Sequence, residues 1–196
     1  MPRAVDADFA GLVLLAQDGA VSDAIVGEQH QSVDPARRLF SVSASGQSRT
    51  ADAALAYEYG ALATAAQLIG AGQAMLDSSV DYAKQRTQFG RVIGGYQAIK
   101  HSLADVHIAL ELARPLLYGA AVALAEASGE IARDVSAAKA AASDAALLSG
   151  RTALQTHGAI GYTAEHDLSQ WLLRVQALRG AWGTPATHRR RVLEAL

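Results

Sequence analysis

Cysteine is absent from the 196 residues. Its absence excludes disulfides, thiolate metal sites and a cysteine nucleophile, and agrees with a reducing cytoplasm. Aromatic residues make up only 6% of the chain and prolines number four, too few for a stacked-aromatic core or a proline-rich linker. No sign of charge dominates either: 17 Lys and Arg stand against 19 Asp and Glu, a formal net charge of −2. Without a broad positive field the chain has no electrostatic means of holding nucleic acid or an anionic membrane. Near the start the longest apolar run, residues 11–16, is too short to span a bilayer and follows Asp6 and Asp8 rather than a basic segment. The expectation is a soluble, unexported, cytoplasmic protein whose partners are small molecules or other proteins.

What the chain does have is a hydrophobic content of 51%, mostly alanine and leucine, a composition that packs helices closely. Its length allows one sizeable core. The first fifty residues read differently from the rest. Leu12-Val13-Leu14-Leu15, residues 21–26 and Leu39-Phe40-Ser41-Val42-Ser43 read as strands, with Asp18-Gly19 as hairpin-turn chemistry between the first two. Three short strands cannot bury both faces of a sheet.

From Asp52 the period becomes helical: Leu55, Tyr59, Leu62, Ala66, Ile69, Gln73, Leu76 and Val80 step by fours and threes. After Gly94-Gly95 the stepping returns through Ile99, Leu103, Val106, Leu110, Ala113, Leu117, Ala121 and Leu124, with Pro115 expected to kink this second helix. A third, alanine-rich helix is predicted over 131–155, stopping at His157-Gly158. A fourth follows Gly161-Tyr162-Thr163, turns Leu168, Leu172, Val175 and Leu178 inward and breaks at Gly183. Thr184-Pro185 is an N-cap followed by proline at the first helical position, so a short final helix closes the chain. Long helices joined by short loops make an antiparallel four-helix bundle. The fold class is mainly α, with a β segment over 1–50 and the bundle over 51–196.

Two stretches carry a family resemblance. Tyr82-Ala83-Lys84-Gln85-Arg86-Thr87-Gln88-Phe89-Gly90, followed by Gln97-Ala98-Ile99, resembles the signature at the end of the first long helix in the C-terminal domain of acyl-CoA dehydrogenases. Gln155-Thr156-His157-Gly158-Ala159-Ile160-Gly161-Tyr162-Thr163-Ala164-Glu165-His166-Asp167 resembles the segment between that domain's third and fourth helices. The resemblance covers residues 52–196. Val33-Asp34-Pro35-Ala36-Arg37-Arg38-Leu39 resembles the last strands of the family's middle β domain, so residues 1–50 are expected to be a short remnant of it, with the family's other parts outside these 196 residues.

The resemblance implies desaturation of an acyl-CoA thioester between Cα and Cβ, a carboxylate taking the α-proton while the flavin of FAD accepts the β-hydride. It also implies FAD shared across a subunit interface, in a homo- or hetero-oligomer for which a full-length acyl-CoA dehydrogenase subunit is a candidate partner. By resemblance Arg86 pairs with the diphosphate, a role its guanidinium fork suits. Gln97 bonds the nucleotide portion, while Gln155, Gly158 and Ala159 let backbone approach the cofactor. Ala159 departs from the family's usual glycine. Thr184 matches the threonine after the loop that carries the catalytic glutamate.

That glutamate is the chief departure. The family places its base at one of two positions, and here they are Trp182 and Gly60. Neither accepts a proton. Glu58 lies two residues from Gly60, about 200° around a helix, and is expected to point elsewhere. No catalytic residue is therefore assigned.

Plainer readings stand beside these. Outside the family context Arg86 would be a solvated cation serving a helix dipole, and His188-Arg189-Arg190-Arg191 reads as a solvated helix face. Glu165-His166-Asp167 reads as acidic dipole chemistry at a helix start. His101 and Asp105, four apart, do not supply the paired Glu-x-x-His motifs of a di-metal bundle, so no metal is expected. The leading expectation is an acyl-CoA dehydrogenase-type subunit contributing to an FAD site and inactive alone. The alternative is a non-catalytic partner subunit or degenerate fragment without flavin.

Overall fold

The computed structural model of the chain describes residues 2–17, 20–163 and 166–196. The Asp18-Gly19 turn, and Glu165 of the acidic run, lie outside the described residues. The chain divides into two compact units, Met1–Tyr57 and Glu58–Leu196.

The first unit holds an antiparallel sheet of β1 (Arg3–Val5), β2 (Leu14–Gln17), β3 (Ala20–His30) and β4 (Leu39–Arg49), ordered β1-β4-β3-β2. β3 and β4 run to eleven residues each, longer than expected, because register persists through Ser, Gln and Glu positions that lack hydrophobic alternation. β1 has three residues, too few to show a period. Of the 33–39 segment expected to be strand, only Leu39 is one. The rest connects β3 to β4 as an Asp-led turn, with Ala36 N–H donating to Asp34 Oδ1 at 3.0 Å. Leu15, Val21, Phe40 and Val42 are buried, while Leu14 and Ile25 are exposed.

In the second unit, α2 (Gln97–Ala125), α3 (Ile131–His157) and α4 (Leu168–Gly180) pack with α1 (Ala53–Gln85), whose first residues belong to the first unit. One apolar cluster joins Leu68 and Met75 of α1, Val106 and Leu110 of α2, Ala142 and Ala146 of α3, and Val175 and Leu178 of α4. This is the expected bundle, and α5 (Pro185–Glu194) packs on it as the expected short fifth helix. In α1 the predicted Ile69 and Leu76 are buried in the core, but the centre of the seam lies about one position from the predicted stripe. Ala61, Ala65, Leu68, Gly72, Met75 and Ser79 face inward, whereas Tyr59 is exposed. The small residues of the seam admit close approach. A Cβ on Gly72 would meet Leu110 Cδ2 at 2.9 Å and Ala146 Cα at 3.4 Å.

α2 continues through Pro115. By length and composition alone it is apolar enough to cross a membrane, and Val106, Leu110, Ala113, Ala120 and Leu124 are nonetheless buried.

Candidate functional site

The first recognised stretch folds around a tight turn. α1 ends at Gln85, and β5 (Thr87–Gln88) pairs with β6 (Arg91–Val92) across Phe89 and Gly90, whose φ values are +50° and +79°. Two successive left-handed residues make a hairpin turn of the primed kind; glycine adopts it freely and phenylalanine under strain. The sequence reading placed no strand here, because two-residue strands have no period. The 3-10 turn Ile93–Gly95 then leads into α2, and Gly94 lies so close to α1 that a Cβ would stand 2.9 Å from the Ala83 carbonyl oxygen.

This turn, the last turns of α1, the start of α2 and the end of α3 enclose an open groove of about 540 Å³. It gathers Arg86, Gln155, Gly158 and Ala159, four of the expected cofactor residues, and adds the rings of Tyr82 and Phe89. Gln97 is the first residue of α2, between the lining residues Tyr96 and Ala98, and does not itself line the groove. Thr184 lies elsewhere: its Oγ1 accepts from Thr187 N–H at 3.2 Å as the N-cap of α5. Arg86 is exposed, and among the described residues its guanidinium makes no ion pair. Phe89, at 92% exposure, offers an uncovered face at the turn's tip.

His157 forms the floor. It is buried, stacks on Tyr82 with centroids 4.5 Å apart and meets His166 edge-on at 4.8 Å. Its Nδ1–H donates to the Ala153 carbonyl at 2.9 Å. Burial pushes the imidazole below its ordinary pKa and His166 adds to that, while the Ala153 carbonyl opposes both. A neutral ring thus fixes the point where α3 ends and Gly158 turns at φ +66°. An exposed cation, two aromatic rings and a glycine turn fit an aromatic diphosphate such as the one expected.

The two expected base positions meet at another end of the bundle. A Cβ on Gly60 would stand 2.7 Å from Trp182 Cε3 and closer still to Cδ2 and Cε2. Trp182 and Gly183 both have positive φ, +54° and +98°. Glu58 is not turned freely to solvent but buried in an ion pair with Arg191, which also reaches it from Nη1 to Oε2 at 3.5 Å.

This corrects the reading of 188–191 as a solvated face. Arg189 and Arg190 are exposed, but His188 is fully buried and Arg191 turns inward. His188 Nε2 lies 2.8 Å from the Trp182 carbonyl and Nδ1 3.1 Å from Ser136 Oγ. Lys139, also fully buried, points Nζ at the carbonyls of Leu178 (3.2 Å), Arg179 (3.3 Å) and Gly183 (3.4 Å) and at Ser143 Oγ (3.4 Å). Desolvation lowers its pKa to about 8, and the Arg179 charge contributes. The sequence reading passed over Lys139. The signal was a lone cation at 3- and 4-residue spacing from Ser136 and Ser143 on an otherwise apolar helix face.

Residues 50–196 match the family model described as acyl-CoA dehydrogenase, C-terminal domain. The chain is 30% identical over 190 residues to the acyl-CoA dehydrogenase IpdE2 of Mycolicibacterium smegmatis, an alignment covering 96% of this chain and 59% of that protein. It is 33% identical to IpdE2 of Mycobacterium tuberculosis, over 87% of this chain and 52% of that one. Butyryl-CoA dehydrogenase from Megasphaera elsdenii shares the fold with a TM-score of 0.81 at 23% identity, over 94% of this chain and 54% of that one. So does a chain of the ChsE4-ChsE5 complex of M. tuberculosis, with a TM-score of 0.80 at 23% identity, over 93% and 54%. The chain spans between half and three-fifths of the length of these relatives.

Proposed function

The chain belongs to the acyl-CoA dehydrogenase family, and from that membership we propose that it is a dehydrogenase-type subunit that lends its bundle to an FAD site completed by another subunit. The observation carrying this is the convergence of Arg86, Gln155, Gly158 and Ala159 with the rings of Tyr82 and Phe89 in one groove. Arg86 would hold the diphosphate, and Tyr82 and Phe89 would cover the flat apolar part of the nucleotide. Gln97, one residue from the lining, would reach it from the start of α2, and Thr184 would serve the site only through the loop it caps. The flavin, when bound, supplies hydride acceptance for α,β-desaturation of an acyl-CoA thioester. This chain's own residues bind and orient it.

The chain would not supply the proton acceptor. Trp182 and Gly60 have no basic group, and Glu58 is engaged in a buried ion pair with Arg191. The base would come from a partner, in a cytoplasmic homo- or hetero-oligomer. A second reading, a structural subunit with no flavin, is favoured by the indole filling the space over Gly60. Purification of the chain from its native source separates the two. A yellow complex containing a second family member is expected. A colourless preparation of this chain alone contradicts the shared-flavin reading.

A further inference from the structure

A separate cavity, of about 330 Å³, lies wholly within the first unit, between the end of β3 and the turn led by Asp34. A β-bulge leads into it. The register of β3 against β4 shifts between Val26 and Gln29, where Ser41 Oγ–H donates to the Glu28 carbonyl at 3.3 Å. Such a bulge re-aims the side chains that follow it. Gln29, His30, Gln31 and Ser32 line one side of the cavity, and Arg37 and Arg38 of the turn line another.

No carboxylate lines this cavity, whereas two carboxamides, a hydroxyl, an imidazole and two guanidinium groups do, every one of them able to donate. Ser32 Oγ accepts from Asp34 N–H at 3.2 Å, so its own proton is left to give. The buried Asp34 carboxylate serves its own turn, where Oδ1 accepts from Ala36 N–H. Arg38 is tied through Nε to Asp6 Oδ1 at 3.2 Å and through Nη1 to Asp8 Oδ2 at 2.6 Å. Its Nη2 has no partner among the described residues. The half-buried Arg37 brings a second guanidinium to the same wall.

His30 supplies an independent observation. Its Nε2 is buried and has no hydrogen-bond partner among the described residues. A buried polar nitrogen left in that state costs stability until a partner is supplied, and the cavity beside the ring is where one can enter. The partner must accept, because the neighbouring side chains already crowd the site with donors.

We propose that this cavity binds a phosphate group, held by the Arg37 and Arg38 guanidiniums, the Gln29 and Gln31 amides and the Ser32 hydroxyl, with His30 Nε2–H completing the set. A tetrahedral anion offers acceptor oxygens in every direction, which suits donors converging from two segments, and guanidinium forks match phosphate oxygens. The cavity is roomier than one phosphate ion, so it also admits the organic part of a small phosphomonoester. The inference goes beyond the proposed function. The flavin groove belongs to the second unit, so either site can fail without the other.

The test is an NMR titration of the full chain at fixed pH and ionic strength, with inorganic phosphate, with glycerol phosphate, and with sodium chloride as the control. Either phosphate should give saturable shifts of the His30 ring and of the Gln29 and Gln31 side-chain amides that chloride does not. Tighter binding of glycerol phosphate assigns the site to an organic phosphate and tighter binding of inorganic phosphate to the free ion; both support it. Arg37→Gln should weaken binding about tenfold, the loss of one charge-assisted contact. His30→Phe, which keeps a ring without its nitrogens, should weaken it several-fold. Should either variant not fold, Gln31→Ala at an exposed position should give the same several-fold loss. Shifts that never saturate, shifts matched by chloride, or parent-like phosphate affinity in the folded variants overturn the proposal.

Discussion

The indole of Trp182 fills the space a side chain at Gly60 would need, with Cε3 2.7 Å from where that residue's Cβ would lie. Each of the two positions therefore constrains the other. Gly60→Ala should displace the ring and destabilise the chain by about 1–3 kcal/mol, the usual range for overpacking, although alanine is the better helix former. Trp182→Ala should remove the conflict, so that Gly60→Ala in that background is neutral or stabilising. Urea denaturation of the four variants measures the coupling. Additive effects would show that the contact is slack.

Lys139 closes the carbonyl end of α4 from inside the bundle. Lys139→Met fills a similar volume but removes the ammonium donor from those carbonyls, of which Leu178 keeps the Ala181 N–H, so we expect a loss of about 1–3 kcal/mol at pH 7. The native pKa of about 8 lies below the ordinary 10.5. Between these values the unfolded chain binds the proton more strongly, so stability should rise as pH rises from 8 toward 10.5. Denaturation midpoints across that window should show the slope in the parent and lose it in the methionine variant.

His157 and His188 both have pKa values depressed first by burial. A base harder to protonate when folded favours unfolding in acid, so stability should fall as pH drops below about 6.5, the ordinary histidine value, until each native pKa is reached. His188→Gln should reduce the slope between pH 7 and 5 and leave the His157 share. A slope identical to the parent's would show that His188 titrates normally.

Most of the bundle was legible in the sequence because α2 and α4 carry large residues at helical spacing, and Val106, Leu110, Val175 and Leu178 are buried as read. The seam of α1 was displaced in the reading because its inward positions are Ala61, Ala65 and Gly72, which a hydrophobicity period weighs lightly. The groove residues were legible through family resemblance rather than physics. Arg86 and Gly158 look like any helix end until the fold places them together. The polar chain at Trp182 was not legible at all. His188 and Arg191 belong to a basic run whose inward members differ from Arg189 and Arg190 only by rotation about α5, and their partners Ser136 and Glu58 are 52 and 133 residues away.

With neither Trp182 nor Gly60 able to take a proton, the purified chain with added FAD and a panel of acyl-CoAs should reduce an artificial electron acceptor no faster than the no-enzyme control. Trp182→Glu should not restore turnover, because a carboxylate alone does not hold flavin and thioester in register. Turnover by the parent, abolished in Glu58→Gln, would show that Glu58 leaves Arg191 to act as the base.

The shared flavin site is tested most directly by titrating FAD into the assembled complex carrying Arg86→Ala. A charge-assisted bond to phosphate contributes roughly 1.5–3 kcal/mol, so flavin should bind about ten- to a hundredfold more weakly, with helical circular dichroism unchanged. Equal flavin affinity in parent and Arg86→Ala would contradict the assignment of the groove to the cofactor.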